Sequence, residues 1–103
     1  MALILAGDVG GTKTLLAATQ SNPEVSGCPK VLLERRYESR AYSDFFTVLR
    51  DFLSQLDSSR IDAACFAVAG PVEGSQVKVT NLPWRMDAHD LEKRFGIPRV
   101  RLL

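Results

Sequence analysis

Leu5-Ala6-Gly7-Asp8-Val9-Gly10-Gly11-Thr12-Lys13-Thr14 is the stretch that decides the fold. A short apolar run, Leu3 to Ala6, carries an acidic residue to the mouth of a turn, and a second apolar run, Leu15 to Ala18, leaves it. About seven residues separate the first run from a second strand beginning at Thr14, which suits a hairpin and falls short of the dozen or so that a parallel crossover takes. Gly10 and Gly11 carry no Cβ and tolerate positive φ, so backbone N–H groups there can face outward and be approached closely. Successive outward N–H groups form an anion-binding concavity, and the hydroxyls of Thr12 and Thr14 add donors suited to phosphate oxygens. Asp8 repels phosphate unless a cation stands between them. Magnesium, held through water and one or two carboxylates beside substrate phosphates, supplies that cation. The stretch therefore reads as a nucleotide phosphate turn between two strands. The competing reading is an ordinary glycine hairpin with Asp8 as a turn former. A Rossmann fingerprint or a Walker loop has to open a helix, and the segment after this turn meets Pro23 too soon to be one.

The bulk composition narrows the classes. The chain has 103 residues, 46% of them hydrophobic, which is enough for one small domain with one core. With 13 basic and 12 acidic residues there is no charge surplus to suggest nucleic acid as a partner. Two separated cysteines, Cys28 and Cys65, and a single histidine, His89, make no zinc pattern, and the thiols are expected to be reduced. No apolar stretch approaches the roughly 18 residues of a membrane span, so a soluble, cytoplasmic protein is expected, without a membrane partner.

Along the chain, Leu3 to Ala6 reads as a strand buried on both faces and Thr14 to Thr19 as its hairpin partner. Ser21 to Pro29 is a loop. Val31 to Glu38, with Glu34, Arg35, Arg36 and Glu38, reads as a charged edge strand. Ser43 to Leu56 is an amphipathic helix with Ser43 as N-cap and Asp44 in its first turn; it ends at Asp57-Ser58-Ser59. Its aromatics are assigned to the core. Ile61 to Ala69 is a buried strand in parallel crossover, stopped by Gly70-Pro71. A small hairpin follows, turning at Glu73-Gly74-Ser75 with Val77 and Val79 inward, and then an irregular segment, Thr80 to Trp84. Asp87 caps a second helix, with a Met86–Leu91 staple at its start and Gly96 as its stop. His89 in its first turn is assigned to the surface, and Arg99 to Leu103 opens a further strand. These elements make an α/β fold: a mixed sheet with an antiparallel β-β-β start, followed by α-β-α-β and incomplete at the C-terminus.

That order is similar to the start of the ribonuclease-H-like half-domain of the sugar kinase, heat-shock chaperone and actin superfamily, and Gly7 to Thr14 resembles its first phosphate motif. Cys65-Phe66-Ala67-Val68-Ala69-Gly70-Pro71-Val72, Thr80-Asn81-Leu82-Pro83-Trp84 and Phe95-Gly96-Ile97-Pro98 together resemble the bacterial and cyanobacterial glucokinase family across essentially the whole chain. The resemblance implies ATP-dependent phosphorylation of glucose at its 6-hydroxyl between two closing lobes, with residues 1–103 as the N-terminal part of the small lobe. It places Gly7, Asp8, Val9, Gly10, Gly11 and Thr12 on the nucleotide phosphates, with Asp8 on the magnesium side through water, and Lys13 and Thr14 as further phosphate contacts. Gly70, Pro71 and Asn81 are placed beside the sugar cleft, although strand termination at Gly70-Pro71 and loop bracing by Asn81 and Trp84 compete with that.

The family's catalytic base is an Asp in an Asn-Asp pair after the strand that starts near Val100, so residues 1–103 hold no catalytic residue on this reading. Its sugar-binding Glu and His residues and its adenine pocket also come later. The expected partners are glucose and ATP, with self-association left open. The alternatives are a kinase for another hexose or an N-acetylated amino sugar, and a non-catalytic nucleotide-binding module. A DNA-binding regulator needs a helix-turn-helix ahead of the phosphate strand, which here begins at Leu3.

Overall fold

The computed structural model describes residues 2–21, 30–56 and 60–103. The hairpin forms as the spacing requires. Strand β1 (Ala2–Val9) pairs antiparallel with β2 (Lys13–Ser21), from Ala2 opposite Ser21 to Val9 opposite Thr14. Strand β3 (Lys30–Glu38) adds antiparallel to β2, with a register shift between Ala18 and Thr19. After helix α1 (Phe45–Leu53) the chain returns as β4 (Ala63–Val68), parallel to β1. A second, three-stranded sheet follows, made of β5 (Val72–Glu73), β6 (Gln76–Lys78) and β7 (Arg85–Asp87). Helix α2 (Ala88–Phe95) then leads to β8 (Val100–Leu102), parallel to β4. The main sheet has the order β3-β2-β1-β4-β8, with β3 on the edge as its charges predict.

Three details differ from the sequence reading. Strand β1 is not buried on both faces: Leu3, Leu5 and Val9 are buried, whereas Ala6 and Asp8 on the opposite face are exposed. Among the described residues, the helices cover one face of the main sheet, and the pleat sends alternate side chains to the other. Helix α1 begins one residue later than expected. Its N-cap is Asp44, whose carboxylate accepts from the Thr47 N–H at 2.8 Å and from the Thr47 hydroxyl at 2.7 Å. A carboxylate at that position satisfies two donors and so outcompetes Ser43. Residues 85–87 form a third strand, against Gln76 to Lys78, where the sequence shows only a helix approach. Helix α1 also ends early, at Leu53 with Ser54 as its C-cap, short of the expected Leu56; the expected loop over 22–29, with Cys28, and the segment 57–59 lie outside the described residues.

The core lies between the main sheet and the helices. Phe45 of α1 meets Phe66 of β4 edge-on, with centroids 5.0 Å apart, and Trp84 at 6.3 Å. Trp84 is 1% exposed and donates its indole N–H to the Tyr42 carbonyl at 3.2 Å, so it anchors the segment after β6 in the core. Burying an aromatic of this size contributes about 2–3 kcal/mol. Val77 and Val79 are buried, as the alternation in that hairpin predicts, and the exposed His89 is likewise where expected.

Helix α2 is held at both ends by carboxylates. Burial works to raise the Asp87 carboxyl, but donors from the His89 and Asp90 backbones and the Ser75 and Gln76 side chains outweigh it and hold it below its usual range. Glu92 accepts from the Val100 N–H at 2.9 Å, and this bond, with the His89 contact, lowers its carboxyl too. Gly96 closes the helix at φ 63°, and Met86 and Leu91 are both buried at the start. A carboxyl lowered in the folded state stabilises above its unfolded pKa and loses that contribution as pH falls through the folded value. The melting temperature is therefore expected to hold from pH 7 to about 5 and to fall below about 4. Glu92→Gln should be less stable at neutral pH and show a shallower acid slope in a thermal-melt series. Equal slopes in the two proteins would assign the acid loss to other groups.

Candidate functional site

The site is assembled from the ends of β1 and β4 and the segment after β6. The Ala69 N–H donates to the Val9 carbonyl at 2.9 Å, and the Thr80 N–H donates to the Ala69 carbonyl at 2.8 Å. These two bonds lay the three segments side by side just past the sheet. Glycines let them approach. A Cβ on Gly70 would lie 2.1 Å from the Lys78 carbonyl oxygen, and one on Gly11 would lie 2.9 Å from that of Thr80. A Cβ on Gly7 would meet Phe66 Cδ1 at 2.6 Å and Leu16 Cδ2 at 2.8 Å, because Gly7 faces the core.

The turn after β1 closes with the Gly10 N–H donating to the Lys13 carbonyl at 3.0 Å. The sequence allows the glycines there to take positive φ. Among the described residues, positive-φ glycines are Gly74 and Gly96 instead. Closeness of approach, not backbone handedness, excludes a side chain at Gly11. Neither the Gly11 N–H nor the Thr12 N–H has a hydrogen-bond partner among the described residues, and Thr12 is exposed. Two successive donors unpaired among the described residues, at a strand-to-strand turn, are the arrangement that can accommodate an anion.

The structure separates the remaining candidates. Val9 is fully buried and contributes its carbonyl to the Ala69 bond. Lys13 is ion-paired with Glu38 across β2 and β3. Thr14, expected as a further phosphate contact, is fully buried, and its hydroxyl lies 2.8 Å from Ser39 Oγ, so it braces the turn from beneath. Asp8 is exposed on the open face of the sheet, in a shallow depression lined also by Ala6, Leu15, Ala17 and Glu34. Pro71 and Asn81, expected together beside a sugar, line one open depression with Thr80 and Pro83. Asn81 takes φ 68°, a left-handed conformation that asparagine tolerates better than most residues. Its Cβ would be 3.4 Å from a Cβ on Gly11, so the expected phosphate and sugar segments are neighbours.

Magnesium requires no protein cage. It keeps several waters and takes one or two carboxylates beside substrate phosphates, which an exposed carboxylate two residues before the turn satisfies. Among the described residues no cluster of three or more His, Cys, Asp or Glu side chains forms, and no helix is long and apolar enough to cross a membrane.

Sequence reasoning missed Ser39. It follows β3 in a short 3-10 turn, is fully buried, and makes three contacts with the turn between β1 and β2. Its N–H donates to the Thr12 carbonyl at 2.9 Å, its hydroxyl donates to the Gly10 carbonyl at 2.7 Å, and Thr14 Oγ1 lies against it. The only local signal is a serine placed just past a charged edge strand.

The glycine seat at the junction gives a stability prediction. Gly70→Ala is expected to cost about 1–3 kcal/mol, because backbone, not a movable side chain, occupies the space. Gly74→Ala meets nothing within 4 Å and pays only for its positive φ, about 1–2 kcal/mol. Equilibrium denaturation of the two variants checks the pair; a Gly70→Ala protein as stable as the parent would refute the packing argument.

Comparison with known proteins extends the picture. The family model described as Glucokinase matches residues 5–103. Glucokinase of Nostoc punctiforme is 35% identical over 103 residues, covering 100% of this chain and 30% of that protein. A glucokinase crystal structure from an Antarctic psychrotroph superposes with a TM-score of 0.84 at 24% identity, over 100% of this chain and 32% of that one. Glucokinase from Balamuthia mandrillaris in complex with glucose superposes with a TM-score of 0.67 at 22% identity, over 99% of this chain and 29% of that one. The chain thus spans about a third of the length of the relatives it matches, and its mixed sheet with two helices is the ribonuclease-H-like arrangement of sugar kinases.

Proposed function

Because the chain belongs to the glucokinase family, we propose that it forms the N-terminal part of the small lobe of a two-lobed cytoplasmic kinase that transfers phosphoryl from ATP to the 6-hydroxyl of glucose. The observation that carries this is the pair of N–H groups at Gly11 and Thr12 that have no partner among the described residues, with Gly11 seated closely against Asn81. In phosphoryl transfer a protein mostly positions groups and stabilises spread negative charge. Gly11 and Thr12 fit the first of these tasks as donors to phosphate oxygens, with Gly10 shaping the turn and the Thr12 hydroxyl adding a third donor. Gly7 admits the packing that brings β1 to that position.

Asp8 would hold magnesium through water, and the ion would supply positive charge beside the phosphates. Lys13, paired with Glu38 and partly exposed, adds a screened positive charge. Pro71 and Asn81 present the wall on which the sugar side of the cleft is built. An acceptor hydroxyl also needs a base within hydrogen-bond reach, and residues 1–103 supply none on this reading. The partners are ATP and glucose, with neither nucleic acid nor membrane involved.

Asp8→Ala in the full-length protein should lower kcat about a hundredfold or more, as loss of a charge-organising group in the transition state does. Its melting temperature should stay close to wild type, since the Asp8 side chain is exposed. A near-normal kcat would remove Asp8 from the metal side. The 103-residue chain alone should form no glucose 6-phosphate in a coupled assay, and turnover near that of intact glucokinases would overturn the division of the site. Full-length protein that phosphorylates an N-acetylated amino sugar in preference to glucose would reassign the substrate while leaving the phosphate turn in place.

A further inference from the structure

The Gly10–Gly11 peptide has no Cβ on either side, so nothing in its own sterics decides which way its plane faces. A trans peptide points its C=O and N–H in opposite directions. Turning the Gly10 carbonyl inward therefore turns the Gly11 N–H outward, and the reverse orientation would present a carbonyl oxygen to the anion. The side-chain contact that selects the plane is Ser39, whose hydroxyl lies 2.7 Å from the Gly10 carbonyl oxygen. A carbonyl only accepts, so the single Ser39 hydroxyl proton is committed to it. The Thr14 hydroxyl, 2.8 Å away and also fully buried, must then be the donor to Ser39 Oγ. Donation runs in one direction, from Thr14 to Ser39 to Gly10. The Ser39 N–H fixes the neighbouring Thr12 carbonyl from the same side at 2.9 Å.

We infer that Ser39 is a positioning residue for phosphoryl-donor binding: through the Gly10 carbonyl it sets the peptide plane that offers the Gly11 N–H to a phosphate, with Thr14 orienting its hydroxyl. This rests on the phosphate-turn reading above. Ser39 touches no substrate itself. It supplies the conformational restraint that two adjacent glycines lack, from an element about 28 positions along the chain, and so couples the edge of the sheet to the turn's donors.

The test uses the full-length protein with ATP and glucose. Ser39→Ala should raise KM for ATP about tenfold, the scale of one lost buried hydrogen bond, and leave KM for glucose within about twofold. Thr14→Val, which keeps the Ser39–Gly10 bond and removes only the donor behind it, should show a smaller rise in the same direction. Ser39→Thr restores the hydroxyl with an extra methyl group in a closed space, so it should melt lower yet keep a KM for ATP near wild type. A purely structural role predicts the opposite ranking, with KM following stability. In NMR relaxation dispersion, the Gly11 amide should exchange on the microsecond-to-millisecond scale in Ser39→Ala and not in the wild type. Equal rises in both KM values, or an unchanged Gly11 amide in Ser39→Ala, would overturn the inference. A wild type that binds ATP alongside a Ser39→Ala protein with unchanged KM overturns this inference alone. A wild type that binds no ATP overturns the phosphate-turn reading as well.

Discussion

Everything at the candidate site depends on backbone laid directly against backbone. The Val9 carbonyl takes the Ala69 N–H, and the Ala69 carbonyl takes the Thr80 N–H, so three chain segments continue hydrogen bonding beyond the last sheet pair. Strand ends carry polar groups that must find partners, and here they find one another. The spacing that results leaves no room for side chains at Gly70 and little at Gly11. The geometry of the turn is thereby tied to the position of β4 and to the small sheet behind it. Trp84 fastens that small sheet to the core through Phe45 and the Tyr42 carbonyl. A displacement in the core would therefore reach the turn through covalent backbone and hydrogen bonds, without a flexible side chain to absorb it.

The sequence was legible where one local rule dominated. The hairpin followed from too short a connection, the edge strand from its charges, and the second helix from Asp87 and Gly96 at its two ends. The strand crossover followed from an apolar run on each side of an amphipathic helix. What escaped was set by contacts between residues far apart in the chain. The Asp44 cap depends on which of two adjacent polar residues reaches the Thr47 N–H, and their order in sequence does not decide that. Strand β7 exists because β6 offers it a partner, and three residues carry too weak a pattern to announce themselves.

The site divides in the same way. That Gly10, Gly11 and Thr12 form a turn with donors unpaired among the described residues could be read from residue types. That the glycines answer to Thr80 rather than to positive φ could not, because Thr80 is some 70 residues away along the chain. Thr14 looked equivalent to Thr12, but alternation in β2 sends it under the turn to Ser39, while Thr12 stays at the surface. Ser39 itself carries no motif. Its proposed role lies in a hydroxyl placed between the Gly10 carbonyl and the Thr14 hydroxyl, which is a fact about three dimensions.

A cradle made of main-chain amides has a consequence for discrimination among donors. As proposed phosphate donors, the Gly11 and Thr12 N–H groups would register charge and oxygen spacing and nothing beyond the phosphates. Adenine, guanine or a bare polyphosphate chain would look alike to such a socket. Choice among them falls to whatever grips the far end of the donor, so the vocabulary of accepted donors can change while this turn stays as it is. On the proposed reading the turn is a universal fitting, and selectivity would be written elsewhere in the protein.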